Sequence, residues 1–263
     1  MSEIVTVQTQ THSALCTLNL PNKRNPISAE MRASLIAALD GLSHNETVRS
    51  VIITGAGSAF CSGLDLDGLA EQQKKSPAEH RADSQSIADF FSYIANYPKP
   101  TIAAVNGPAV AGGCGLALLC DFTLMRAEAF FSFSEVKIGF VPALVGVYLE
   151  RMVGPKVSRD LLLTGRKILA NEAKALGLIS EVVESGKLHE RANELAGQLA
   201  QNSPIALCQT KELLTRSQAL NLGESLALAV DVNANARVTS DCVEGVNSFL
   251  EKRAPKWATR CIK

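Results

Sequence analysis

Lysine plus arginine and aspartate plus glutamate number 26 each among 263 residues, so the chain carries no net formal charge. Without an excess of one sign there is no global field to draw in nucleic acid or an anionic membrane, and an anionic ligand must be met locally. The seven cysteines are odd in number and include no Cys-x-x-Cys pair. That argues against a disulfide framework and a thiolate metal site, and it fits a reducing compartment. The sequence has no Gly-x-x-x-x-Gly-Lys-[Ser/Thr] cradle for phosphates and no Gly-x-Ser-x-Gly turn for a serine nucleophile. The four histidines, at 12, 44, 80 and 189, stand among polar neighbours without ligand spacing, so no metal is expected. MSEIVTVQTQTHSAL, at the start, has neither the basic opening nor the apolar stretch of a secretory leader, and a cytoplasmic location is expected.

What the chain does have is enough apolar residue for a sizeable core: 46% hydrophobic against 20% charged, in 28.0 kDa. Residues 100–120 run for 21 positions without a charge, long enough to cross a bilayer. Asn106-Gly107-Pro108 breaks that run and four glycines thin it, so a buried strand, turn and helix is the better account. Cys16, Leu18 and Leu20 alternate with Thr17 and Asn19 as in a half-buried strand, and Ser28 can cap a helix with the stripe Met31, Leu35, Leu39 and Leu42. Two stretches share one plan, SVIITGAGSAFCSGLDLDGL at 50–69 and TIAAVNGPAVAGGCGLALL at 101–119. Each is a strand, a glycine, small residues, another glycine and a polar or helical continuation, which reads as a repeated unit of a stacked α/β fold. FFSFSEVKIGFVP at 130–142 is a third such unit, leading into a proline-started helix from Pro142 to Met152. Asn171 reads as the cap of the next helix and ISEVV at 179–183 as a strand; from about Leu188 the pattern is helical. Residues 73–98 read as a surface helix or a mobile loop.

The glycines at 112, 113 and 115 sit where a helix should start, although glycine inside a helix costs about 1 kcal/mol relative to alanine. Helix-start N–H groups have no intrahelical partner, so small residues there let a polarised oxygen approach; a tight turn or close packing is an equally good reading. Gly55-Ala56-Gly57 does not extend to a dinucleotide fingerprint, because Phe60 occupies the third glycine position. Cys61 and Cys114 have no histidine nearby in sequence and read as small buried thiols. Asp121 reads as a structural cap.

LPNKRNPIS at 20–28, VIITGAGSAFCSGLDLDGL at 51–69, KPTIAAVNGPAVAGGCGLALLCDF at 99–122, FSFSEVKIGFVPA at 131–143, LLLTGRKILANEAKALGLISEVV at 161–183 and EGVNSFLEKRAPKW at 244–257 stand in one order. Together they resemble the enoyl-CoA hydratase/isomerase (crotonase) superfamily over nearly the whole chain. The resemblance implies an α/β fold, a crotonase-like spiral of repeated ββα units, with a catalytic core at 1–196 and a helical oligomerisation region at 197–263. Trimers or hexamers are the family's habit.

The implied substrate is an acyl-CoA thioester, whose oxygen would sit between the backbone N–H groups of Leu64 and Gly112, with Glu135 as acid/base. Family hydratases carry a second glutamate three residues after the oxyanion glycine, and here that position is Gly115. Double-bond isomerases need one carboxylate, and some hydratase relatives also lack the first, so isomerisation and one-glutamate hydration both stay open. Decarboxylation, C–C cleavage and acyl-CoA binding without catalysis are the alternatives. Where a family dehalogenase carries its nucleophilic aspartate this chain has Val145. Lys23 and Arg24 match residues that meet the CoA phosphates, and the backbone around Asp65 and Leu66 matches the adenine site. Phe249 and Lys252 match a pair that covers the nucleotide, often from a neighbouring subunit. No metal or redox cofactor is implied, coenzyme A being part of the substrate. Asp67, Glu71, Asp89 and Tyr148 are the candidates to replace the missing carboxylate.

Overall fold

The computed structural model describes residues 3–63 and 75–259. Strands β1 (Val5–Thr9) and β2 (Ser13–Leu18) form an antiparallel pair. From β2 the sheet continues in parallel through β3 (Ser50–Gly55), β4 (Thr101–Val105), β6 (Phe122–Arg126) and β9 (Glu181–Val183). A second sheet joins β5 (Ala109–Val110), β7 (Phe130–Ser132) and β8 (Lys167–Leu169) in that order. Every residue of β3 and β4 is buried, as a parallel sheet covered on both faces requires.

Strand alternation divides the core in two. Val51, Ile53, Ala103 and Val105 face the larger cluster, which includes helix α1 (Ala29–Ser43) through Met31, Leu35, Leu39 and Leu42. Ile52, Ile102 and Ala104 face the other way, onto Leu188, Ala192, Ala196 and Leu199 of a later helix. Ser28 caps α1 as expected, its hydroxyl accepting from Met31 N. The segment read as a surface helix or loop contains helix α2 (Pro77–Ala95), opened by a Ser76–Glu79 capping box and buried at Ile87, Phe90, Phe91 and Ile94.

Helix α3 (Gly112–Leu118) follows β5, and α4 (Ala143–Thr164) follows β7. The fourth helix starts where expected but runs past Met152, broken at Gly154 (φ 75°) ahead of Pro155. Asn171 does not cap α5 (Ala170–Ala175): β8 runs straight into that helix, so Leu169 takes the cap position and Asn171 lies inside. The remaining helices are α6 (Leu188–Ala200), α7 (Pro204–Ser217), α8 (Leu222–Ala236), α9 (Ser240–Leu250) and α10 (Lys256–Thr259). Lys211 ties α7 to the core through Asp121 Oδ2 (2.6 Å) and the Lys99 carbonyl (3.1 Å). Asp121 also accepts from Thr101 N and Oγ1, so it is a cross-link between β4 and α7 and not a helix cap. Among the described residues no helix is long and apolar enough to cross a membrane; residues 100–120 form β4, β5 and α3.

The turn between β2 and α1 depends on Asn25, which is fully buried at φ 56°. Its carboxamide oxygen accepts from Leu20 N (2.9 Å), and its nitrogen donates to the carbonyls of Ala56 (2.9 Å) and Ala59 (3.0 Å). Asparagine tolerates the left-handed conformation and reaches local backbone groups, which suits it to this corner. N25A strands these groups in the interior and places alanine at positive φ. It is expected to lower unfolding free energy by about 3 kcal/mol in urea titrations; a loss below about 0.5 kcal/mol would mean that water replaces the amide.

Candidate functional site

The two repeated units lie side by side. β3 and β4 are parallel neighbours, and their continuations also run parallel, with Cys61 bridged to Ala109 and Val110 N donating to Cys61 O (3.0 Å). Both glycine loops therefore emerge at the C-terminal edge of the large sheet, where open parallel sheets bind ligands. Gly63 has φ 83°, and a Cβ there would stand 2.6 Å from Val110 O and 3.1 Å from Gly112 N. A Cβ on Gly113 would stand 2.4 Å from Cys61 O. Backbone contact alone requires those two glycines.

Gly112 is different. A Cβ there would meet only Ile27 Cδ1 at 3.5 Å, Phe91 Cζ at 3.7 Å and Gly63 Cα at 3.9 Å, all ordinary contacts. Packing does not demand glycine at 112, while its N–H, at the first helical residue, has no intrahelical acceptor. Ala111 ahead of it holds φ 52°, ψ −122°, fixed by Ala111 N to Ser132 O (2.8 Å) and Cys114 N to Ala111 O (3.0 Å). Backbone this far from the favoured regions costs on the order of 1–3 kcal/mol and persists where surrounding bonds impose it.

Ser132, which holds Ala111, ends β7, and the chain then turns at Phe133 into a 3₁₀ turn, Ser134–Ile138, carrying Glu135. Glu135 is 6% exposed, and among the described residues no other carboxylate is buried. Its Oε2 has no hydrogen-bond partner among the described residues. Burial raises its carboxyl above the ordinary glutamate value, a hydrogen bond with its own backbone pulling the other way. Glu135 follows three residues after Ser132, whose carbonyl accepts from Ala111 N at the entry to α3, and its charge adds to the upward push on the Cys114 thiol in that helix. Lys137 leaves Glu135 unpaired and sends its stem toward Gly165, where a Cβ would lie 3.2 Å from Lys137 Cε. A buried carboxyl without an ion pair among the described residues has the chemistry to take and to give a proton.

The place of the missing glutamate is filled. A Cβ on Gly115 would stand 2.8 Å from Val145 Cγ2 and 3.0 Å from Phe91 Cζ. Asp89 does not replace it, being exposed and bonded to Gln85; Tyr148 lies farther along α4, with Leu118 and Met152. Burial raises the Cys61 thiol to about 12 and Cys114 well above its usual value, so neither is a thiolate nucleophile at neutral pH. Lys23 and Arg24 are exposed at the rim, their carbonyls accepting from Ser62 Oγ (3.4 Å) and Ser62 N (2.9 Å), next to Gly63. Phe249, 82% exposed, and Lys252 sit at the end of α9, which packs on α7; within one chain they are not part of this cluster. Leu64, Asp65, Leu66, Asp67 and Glu71 lie outside the described residues. Sequence reasoning missed Asn25 and Phe91; an asparagine ahead of a proline was a readable signal for the first, and nothing local pointed to the second.

The family model described as enoyl-CoA hydratase/isomerase matches residues 8–260. A Thermus thermophilus protein, provisionally named an enoyl-CoA hydratase, is 48% identical over 246 residues, 94% of this chain and 97% of that one. The 2,3-dehydroadipyl-CoA hydratase of Escherichia coli is 34% identical over 261 residues, 99% of this chain and 100% of that one. Among solved structures, an enoyl-CoA hydratase from Polaromonas sp. JS666 matches with a TM-score of 0.91 at 33% identity, over 96% of this chain and 98% of that one. With the paired glycine loops and the buried glutamate in the order the resemblance implies, the chain belongs to the enoyl-CoA hydratase/isomerase family and has the crotonase fold.

Proposed function

We propose that the site moves protons on enoyl-CoA thioesters with Glu135 as its one carboxylate, and that migration of the double bond is the reaction it favours. The buried carboxyl of Glu135, whose Oε2 has no hydrogen-bond partner among the described residues, carries this reading, with the open start of α3 in support. The thioester oxygen accepts from Gly112 N–H and, following the family resemblance, from Leu64 N–H. Each such donor aimed at a developing enolate oxygen contributes about 3 kcal/mol. From a 3-enoyl thioester, Glu135 takes a proton from C2; the electron pair delocalises into a dienolate, and the same carboxyl returns the proton to C4. One group that both accepts and donates suffices, and its raised pKa suits both steps. The filled space at Gly115 supports migration over hydration, because no second carboxylate holds a water there. The names of the relatives support the other reading, hydration, in which Glu135 takes the proton of a water attacking C3 and delivers it to C2.

Lys23 and Arg24 hold the CoA phosphates at the rim, with the backbone of Asp65 and Leu66 at the adenine. Exposed Leu222, Leu226, Val230 and Phe249 support residues 197–263 as the contact between subunits of a homotrimer or hexamer, in which Phe249 and Lys252 cover the neighbour's nucleotide. The chemistry runs in the cytoplasm and draws on no group beyond the substrate's own coenzyme A.

Purified protein incubated with 2-enoyl- and 3-enoyl-CoA thioesters distinguishes the reactions by mass spectrometry: conversion at unchanged mass is migration, and a gain of one water is hydration. E135Q is expected to lower either rate by about 10² to 10⁴-fold; an unchanged rate would remove Glu135 from the mechanism.

kcat/KM is expected to rise with pH and level off at a midpoint above the ordinary glutamate value, since the free enzyme needs Glu135 ionised. The stability slope has the opposite sign. Folded Glu135 holds its proton more tightly than the unfolded chain does, so stability is full below the unfolded pKa and falls as pH rises toward the folded one. Wild type minus E135Q in urea titrations across pH should isolate that slope; a flat difference would mean the carboxyl is solvated.

G112A should fold with stability within about 1 kcal/mol of wild type, because its methyl meets only ordinary contacts and alanine suits a helix. It is expected to lose at least tenfold in kcat/KM by crowding the thioester oxygen, and full activity would place that oxygen elsewhere.

A further inference from the structure

We propose that Phe91 determines which acyl groups the site accepts, by competing with residue 115 for a single volume next to Gly112; the inference rests on the reading of this site as an acyl-CoA thioester site. The ring tip, Cζ, lies 3.7 Å from the Cβ position of Gly112 and 3.0 Å from that of Gly115. Residues three apart share a helix face, so one ring edge spans the first turn of α3. Val145 Cγ2, 2.8 Å from the Gly115 Cβ position, closes that turn from α4, and Ile27 Cδ1, 3.5 Å from the Gly112 position, bounds it from the turn before α1. These three walls are hydrocarbon.

Phe91 is held firmly. It is 1% exposed and packs on Phe90 with ring centroids 5.7 Å apart. Arg32 on α1 reaches Asp83 and Ser86 of α2 at 3.4 Å each, and Tyr97, just past α2, donates to Leu39 O (3.0 Å). Because α2 is fixed to α1 on both sides of residue 91, the ring cannot withdraw without moving the helix.

A thioester oxygen at Gly112 N–H places the first acyl carbons one or two bonds away, within reach of the ring edge. The ring therefore limits bulk at those carbons, and the hydrocarbon lining rejects polar substituents there. The acyl class it fits is slim and apolar next to the thioester. In the reverse sense, glycine at 115 is what lets the ring come this close.

The test uses the full-length protein and reads binding as well as turnover. Calorimetry gives dissociation constants of F91L, F91A, G115A and F91L/G115A for coenzyme A, butyryl-CoA and the bulkier 2-methylbutyryl-CoA, and kcat/KM is taken on the corresponding enoyl-CoA thioesters. Shortening the ring is expected to shift preference toward the branched acyl group by about tenfold, the scale of a methyl group in an apolar pocket, with coenzyme A affinity unchanged. G115A should weaken butyryl-CoA by a similar factor and F91L should restore it, since the added methyl and the ring contend for the same space. Where F91A fails to fold, F91L, which keeps most of the volume, carries the test. A folded F91L with the wild-type preference, or a G115A defect that F91L does not relieve, overturns the assignment. Binding that shifts as expected without turnover leaves Phe91 in its role and overturns the catalytic reading. Wild-type protein that binds acyl-CoA no better than coenzyme A overturns both.

Discussion

At the C-terminal edge of the large sheet two stretches of backbone meet with nothing between them. A Cβ on Gly63 would lie 2.6 Å from Val110 O, and one on Gly113 would lie 2.4 Å from Cys61 O. This approach allows Val110 N to bond Cys61 O, which sets the entry to α3, which in turn aims the Gly112 N–H. Asn25 braces the same region from the other side by bonding the carbonyls that lead into Cys61. The site is thus made of main chain first, and its precision comes from a sheet buried on both faces rather than from side-chain rotamers.

Onto that frame the chain sets one charge-bearing group with an uncompensated desolvation cost. A buried carboxyl with an unpartnered oxygen is destabilising unless it stays protonated, and protonation is what its raised pKa expresses. The same property shifts its proton exchange to higher pH than an ordinary glutamate's. Stability and reactivity therefore pull on Glu135 in opposite directions, and the cost is carried by the clusters that pack β3 and β4.

The periodic elements were legible because their signals are local. The stripe of α1, its serine cap and the repeated strand–glycine units all appear at the expected places. Glu135 and Gly112 were singled out through their motifs, and the structure narrows a choice the sequence left open, since Gly63 and Gly113 are required by close backbone contact and Gly112 is not. The misses share one physical origin. Asp121 was read as a helix cap from its place in sequence, yet its partners are Thr101 and Lys211, 20 and 90 residues away. Phe91 acts on residues 112 and 115 from a helix whose polar start disguises a buried end.

Gly115 shows why reading chemistry from a missing side chain needs the neighbours. From sequence, glycine in place of a carboxylate suggests a vacancy that water or another acid could enter. In the folded chain there is no vacancy: Val145 and Phe91 already stand where a Cβ would go, and Asp89 on the same helix as Phe91 turns outward to Gln85. A single substitution back to glutamate would meet a side chain on α4 and another on α2 before it reached the substrate. The space at position 115 is therefore set by three elements together, α2, α3 and α4, and a longer side chain there needs Phe91 or Val145 to give way. On the proposed reading, that coupling leaves Glu135 as the one carboxylate at the reacting carbons and gives the hydrocarbon beside Gly112 a say in which acyl groups reach it.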